Sequence, residues 1–86
     1  MARSGTTFGT VVRWDDERHI GFIEAPDLPG QCWVDASVVH VHGTEGADLR
    51  AGQVVEVEWT ESDEGEAPLR ATRVTRREDL QTGLGG

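Results

Sequence analysis

Val54-Val55-Glu56-Val57-Glu58-Trp59 alternates apolar and acidic residues from Val55 onward. A strand sends successive side chains to opposite faces, so Val55, Val57 and Trp59 share one side and Glu56 and Glu58 the other. Burial of Trp59 is the expectation that follows. Downstream, beyond the acidic run Glu61-Ser62-Asp63-Glu64-Gly65-Glu66, Leu69-Arg70-Ala71-Thr72-Arg73-Val74 supplies another strand. Upstream, Phe8-Gly9-Thr10-Val11-Val12-Arg13-Trp14 is rich in β-branched and aromatic residues and ends at Asp15-Asp16-Glu17. His19-Ile20-Gly21-Phe22-Ile23-Glu24 follows closely enough to close a hairpin. Cys32-Trp33-Val34-Asp35-Ala36 comes after a loop punctuated by Pro26, Pro29 and Gly30. Residues 37 to 52 keep no sustained period and read as a long connection with one helical turn at Ser37-Val38-Val39. Five short strands with turns at every junction predict an all-β fold, a small five-stranded antiparallel barrel, because closure removes exposed edges. On this pattern alone an SH3-like barrel is the rival.

A chain of 86 residues holds one modest core and no second domain. The expected division is a flexible segment at 1–7, the barrel at 8–76 and a flexible tail at 77–86, where apolar content is too low to fold alone. No apolar run is long enough to span a bilayer and the first residues lack the apolar stretch of a signal peptide, so a cytoplasmic protein is expected. Cys32 is the only cysteine, which excludes an internal disulfide and a thiol-based zinc site within the chain. It is expected to point inward as a small apolar filler. The net charge of -8 sets 16 acids against eight bases, all arginine, a balance that argues against a polyanionic partner. The acids cluster in two runs that read as solvated loops, so distribution matters more than the total.

Arg18-His19-Ile20-Gly21-Phe22-Ile23 resembles the first ribonucleoprotein motif of cold-shock domains, Lys-Gly-aromatic-Gly-Phe-Ile, and Cys32-Trp33-Val34-Asp35-Ala36-Ser37 resembles the second, Val-Phe-Val-His-aromatic-Ser. Gly9 and Val11, Leu49-Arg50-Ala51-Gly52-Gln53-Val54, and Ala71 with Val74 extend the likeness over residues 8 to 75. The resemblance implies an OB-fold barrel of cold-shock type that binds single-stranded DNA or RNA. Strand periodicity supplies a physical counterpart: Ile20 and Phe22 share one side of their strand, Trp33 and Asp35 share one side of theirs, and the two strands can present a common outward face. Unpaired bases stack on outward aromatics at about 1 to 3 kcal/mol each. Arg13, Arg18 and His19 flank that face, where they can meet phosphate or stack beneath bases. Core packing is the competing account of Phe22 and Trp33.

Three positions depart from the family pattern. Ile20 and Ala36 stand where it has aromatics, and Asp35 where it has His. Losing two platforms at roughly 1 kcal/mol or more each, with a carboxylate near the phosphate path, predicts affinity lower by about two orders of magnitude. Two registers are open for the first strand. An ungapped match sets Arg13 at the family's surface Trp. A shift by one returns Trp14 to the stacking position and needs a bulge, and this second register is preferred because a strand-end bulge costs little. The expected site is therefore Arg13, Trp14, Arg18, His19, Ile20, Phe22, Trp33 and Asp35.

His40-Val41-His42 offers two imidazoles where a metal site needs three or four ligands, so no metal and no cofactor are expected. No catalytic spacing stands out, and an enzyme is not expected. The function expected is weak single-stranded RNA or DNA binding by a monomer without sequence readout or catalysis. The alternative is an acidic OB-fold module that has exchanged nucleic acid for a protein partner.

Overall fold

The computed structural model describes residues 3–41, 44–63 and 67–76. Its strands are β1 (Ser4–Asp15), β2 (Ile20–Glu24), β3 (Cys32–Asp35), β4 (Val39–Val41), β5 (Thr44–Glu45), β6 (Val54–Glu61) and β7 (Leu69–Arg76), with a 3-10 turn at Ala36–Val38 between β3 and β4. They hydrogen-bond in the order β3-β2-β1-β6-β7, and β7 pairs back onto β3 to close a five-stranded barrel. This is the strand order of a small OB-like barrel. The closing β3–β7 pairing is parallel, Cys32 opposite Leu69 and Trp33 opposite Arg70, so the barrel is mixed where antiparallel pairing alone was expected. The physical reason is the connection: the 3-10 turn, the short β4–β5 hairpin and the loop to β6 intervene, so β7 re-enters beside β3 in the same direction. β4 adds to the far end of β7, Val39 opposite Val74.

Residues 4–7, expected within a flexible segment at 1–7, instead begin β1. Ser4, Gly5, Thr6 and Thr7 pair with Thr60, Trp59, Glu58 and Val57 of β6. Arg3 fastens the end: its backbone N–H and Nε donate to the two carboxylate oxygens of Glu61 at 2.8 and 2.9 Å, and Glu61 returns a backbone bond to the Arg3 carbonyl at 2.8 Å. The tail expected at 77–86 lies outside the described residues.

Alternation builds the interior as the sequence implies. Val55 and Val57 of β6, Ile23 of β2, Cys32 and Val34 of β3, and Leu69, Ala71 and Val74 of β7 all turn inward around Val11. Trp59 lies on the same side but packs against the core only half-buried, in contact range of its β1 partner Gly5. Cys32 is fully buried and burial pushes its thiol pKa up to about 12, which suits an apolar filler and not a nucleophile. The 46–53 loop closes against β1 through backbone bonds from Gly52 N–H to the Val11 carbonyl at 2.7 Å and from Val11 N–H to the Gln53 carbonyl at 2.9 Å. Gly52 sits at φ 98°, a left-handed conformation that glycine adopts without a Cβ penalty. No helix among the described residues is long and apolar enough to cross a membrane.

Candidate nucleic-acid interface

Phe22 and Trp33 are direct cross-strand partners on the outer side of the sheet, as their parity predicts, because Ile23 and Cys32 beside them face the core. The row continues in both directions. Arg13 of β1 stands opposite Phe22, and Arg70 of β7 stands opposite Trp33. Four adjacent strands thus carry Arg13, Phe22, Trp33 and Arg70 in line. One row along, Ile20 pairs with Asp35.

A β-bulge decides which β1 residue joins the row. Between Val11 and Arg13 the register to β2 slips by one, Val11 facing Ile23 and Arg13 facing Phe22. Two successive residues, Val12 and Arg13, are therefore left exposed, and the following Trp14 turns back toward the core. The bulge expected to carry Trp14 outward is present but has the opposite result. Trp14 packs over Gly21, where a Cβ would come within 2.3 Å of its ring, and its indole N–H donates to Asp48 at 3.2 Å. Only part of Trp14 reaches a shallow depression, which it lines with Arg13, Arg18, Ile20 and Phe22.

Phe22 also needs correcting as an open stacking platform. It is only 6% exposed, with the Arg13 guanidinium carbon 4.6 Å from its ring centroid and Trp33 opposite it on β3. Trp33 remains half-buried and lines a second depression with Asp35, Ser37, Val38, Arg70 and Thr72. Arg70 was not singled out from the sequence. Its signal was present, since Leu69 and Ala71 face inward and leave Arg70 outward, but linking it to Trp33 requires the parallel closure of the barrel.

His19 does not face the row. It holds φ 58°, a left-handed conformation uncommon for non-glycine residues, at the position where the resembling motif has glycine. Its Nδ1 lies 2.9 Å from an Asp48 oxygen, and that hydrogen bond, with the Asp48 charge, raises its pKa above 6.5. Arg18 is exposed on the same turn. The turn is shaped by Asp15, whose carboxylate accepts the backbone N–H groups of Glu17 at 2.9 Å and Arg18 at 3.1 Å. Those two bonds, Arg18's foremost, lower the Asp15 pKa.

Asp35 has a local task that explains an acid in this row. Its carboxylate accepts the Ser37 N–H at 2.8 Å and caps the 3-10 turn. Ala36 starts that turn at 7% exposure, so an aromatic there would overpack the interior instead of widening the face. Of the two imidazoles in the 40–42 stretch, His42 lies outside the described residues. The site as built offers one partly open indole, a phenyl ring under a guanidinium, a second guanidinium from Arg70, the Asp35 carboxylate one row along, and Asp15, Asp16 and Glu17 around the depression beside Phe22. Such a row suits a chain of flat bases joined by phosphates. No protein-family model matches the chain, and no curated protein matches it either.

Proposed function

We propose that this chain is a non-enzymatic binding module that holds single-stranded RNA or DNA, as a cytoplasmic monomer, across the outer face of β1, β2, β3 and β7. The observation that carries the reading is the row Arg13, Phe22, Trp33, Arg70, which alternates cation, ring, ring, cation over four neighbouring strands. Stacking on rings tolerates any base, and the arginines at either end meet the backbone without reading sequence. The resemblance of residues 18–23 and 32–37 to cold-shock motifs supports the same reading, as does the left-handed backbone at His19 where that motif has glycine. Binding is weak, because one ring is covered and Ile20 supplies no platform. Titrating intrinsic Trp fluorescence with oligo-dT and oligo-U at low salt tests it: quenching that weakens as salt rises supports the reading, and a flat response up to high micromolar oligonucleotide from folded protein rejects it.

A second reading has its own observation. On the β1–β6 face Phe8 is 50% exposed opposite Glu56, and Thr6 is opposite Glu58. That face suits a basic protein partner with an apolar anchor, and it is the one to pursue if oligonucleotides do not bind.

A further inference from the structure

Phe22 occupies the outer side of β2 and is still only 6% exposed. The guanidinium of Arg13 lies over the ring, 4.6 Å from its centroid, while Trp33 is its neighbour on the adjacent strand. Arg13 is exposed, sits at a bulge where Val12 beside it also faces solvent, and is a long flexible arm rooted on the strand next to the ring. An exposed guanidinium–ring contact is weaker than the charge-assisted, bidentate hydrogen bonds the same group makes to phosphate. The nearby acids Asp15, Asp16 and Glu17 line the same depression but do not displace it from the ring.

We infer that Arg13 is a lid on Phe22 that a phosphate group opens, so that the ring is offered as a stacking platform only to a ligand bringing its own anion. The inference rests on the proposed single-strand binding and adds a selection rule to it. A phosphodiester strand draws the guanidinium off the ring and places a base there. A free base or a base polymer with a neutral backbone meets Arg13 in place and finds Phe22 shut. Trp33, which is only half-buried, then acts as the first contact and Phe22 as the second.

Two measurements test this. In the parent protein, the Arg13 Nε–H resonance followed by 15N-resolved NMR carries a ring-current shift from Phe22, which inorganic tripolyphosphate and oligo-dT should each abolish. In Arg13→Ala, checked for folding by a thermal melt, a thymine strand on a neutral peptide backbone should bind about fivefold tighter than to the parent, the smallest gain expected from one freed platform. The phosphodiester strand should change far less, since a lost phosphate contact offsets the opened ring. Oligo-dT binding that leaves the Arg13 resonance ring-shifted, or an Arg13→Ala variant that gains nothing for the neutral strand, overturns the lid and leaves single-strand binding standing. Failure of oligo-dT to bind parent and variant alike overturns the binding reading and the lid with it.

Discussion

The two halves of β1 belong to one continuous strand and do opposite things. From Ser4 to Thr10 the strand pairs with β6 in unbroken register, sending Phe8 out beside Glu56. From Val11 to Asp15 it pairs with β2 through a bulge, sending Arg13 out over Phe22 and turning Trp14 in over Gly21. One extra residue thus separates a face with an exposed ring beside Glu56 from a face where an arginine lies over a ring. Whole-chain charge is a poor guide to such a molecule, because a net charge of -8 is compatible with a local row bounded by two arginines.

The sharpest way to break the contrast is at the glycines beneath the two tryptophans. At Gly21 an added Cβ would lie 2.3 Å from the Trp14 ring and 2.5 Å from the Arg13 carbonyl, and that backbone atom cannot step aside cheaply. Gly21→Ala should cost about 3 kcal/mol, within the usual range for overpacking or just beyond it, and lower the melting temperature by roughly 10 °C or more. At Gly5 the nearest atoms of Trp59 stand at 3.4 Å, ordinary contact. Gly5→Ala should therefore be neutral or slightly stabilising, through a less flexible unfolded chain. Equal losses at both sites, measured by denaturant melts, would mean that the bulged half is no tighter than the regular one.

The next contrast is functional. Trp33→Ala should weaken oligo-dT binding by about 1 to 3 kcal/mol, the value of one stacking platform. Phe8→Ser, on the other half's face, should leave that binding unchanged. If the two variants exchange effects in the same fluorescence titration, the nucleic-acid face has been placed on the wrong side of the barrel.

How much of this was legible depends on how far apart the deciding residues are. The inward set Val55, Val57, Leu69, Ala71 and Cys32 could be read from strand parity, which needs only neighbouring residues, whereas Val74 turns inward only because the β6–β7 register slips by one at Thr72. The pairing of Phe22 with Trp33 on an outer face was legible for the same reason. The start of β1 was not, because Ser4-Gly5-Thr6-Thr7 has little apolar pattern and is held by β6 and by Glu61, 58 residues away from Arg3. The short β4–β5 hairpin was hidden in a stretch without period. Cover over Phe22 was invisible because it depends on where one bulge falls. The first strand did show two possible registers, but a register is settled by pairing with β2 and by Trp14 fitting over Gly21, which local sequence does not state.

A smaller effect separates charge from structure at Asp35. Asp35→Asn keeps an oxygen able to accept the Ser37 N–H while removing the carboxylate charge from the row. Oligo-dT affinity should rise by about threefold at low salt and the gain should fade as salt screens the face. Asp35→Ala should lose the cap as well, at about 1 kcal/mol of stability. Glu56→Gln, beside Phe8, should leave oligonucleotide affinity where it was. A gain from Glu56→Gln equal to that from Asp35→Asn would show only a general response to net charge, and the local row would lose its claim.

The smallest expected effect concerns the two ends of β1, which exposed ion pairs fasten with opposite pH dependence. At the start, the Arg3 backbone N–H and then its side chain hold the Glu61 pKa below 4.5. A depressed carboxylate contributes stability above its unfolded pKa and loses it as pH falls through the folded value. Past the other end, Asp48 raises the His19 pKa above 6.5. A raised imidazole contributes fully below its unfolded pKa and loses that contribution as pH rises through the folded value. Between about pH 4.5 and 6.5 both fastenings are therefore in force. Melting temperature should crest there, with shallow slopes because both pairs are exposed and salt screens them. His19→Gln should flatten the slope above pH 6.5, while Glu61→Gln should leave that slope in place and reduce the acid slope, part of which Asp15 retains through its own lowered pKa. If His19→Gln instead leaves the slope above pH 6.5 unchanged, its imidazole is not held by Asp48 in solution, and the turn that follows β1 is set by the Asp15 carboxylate alone.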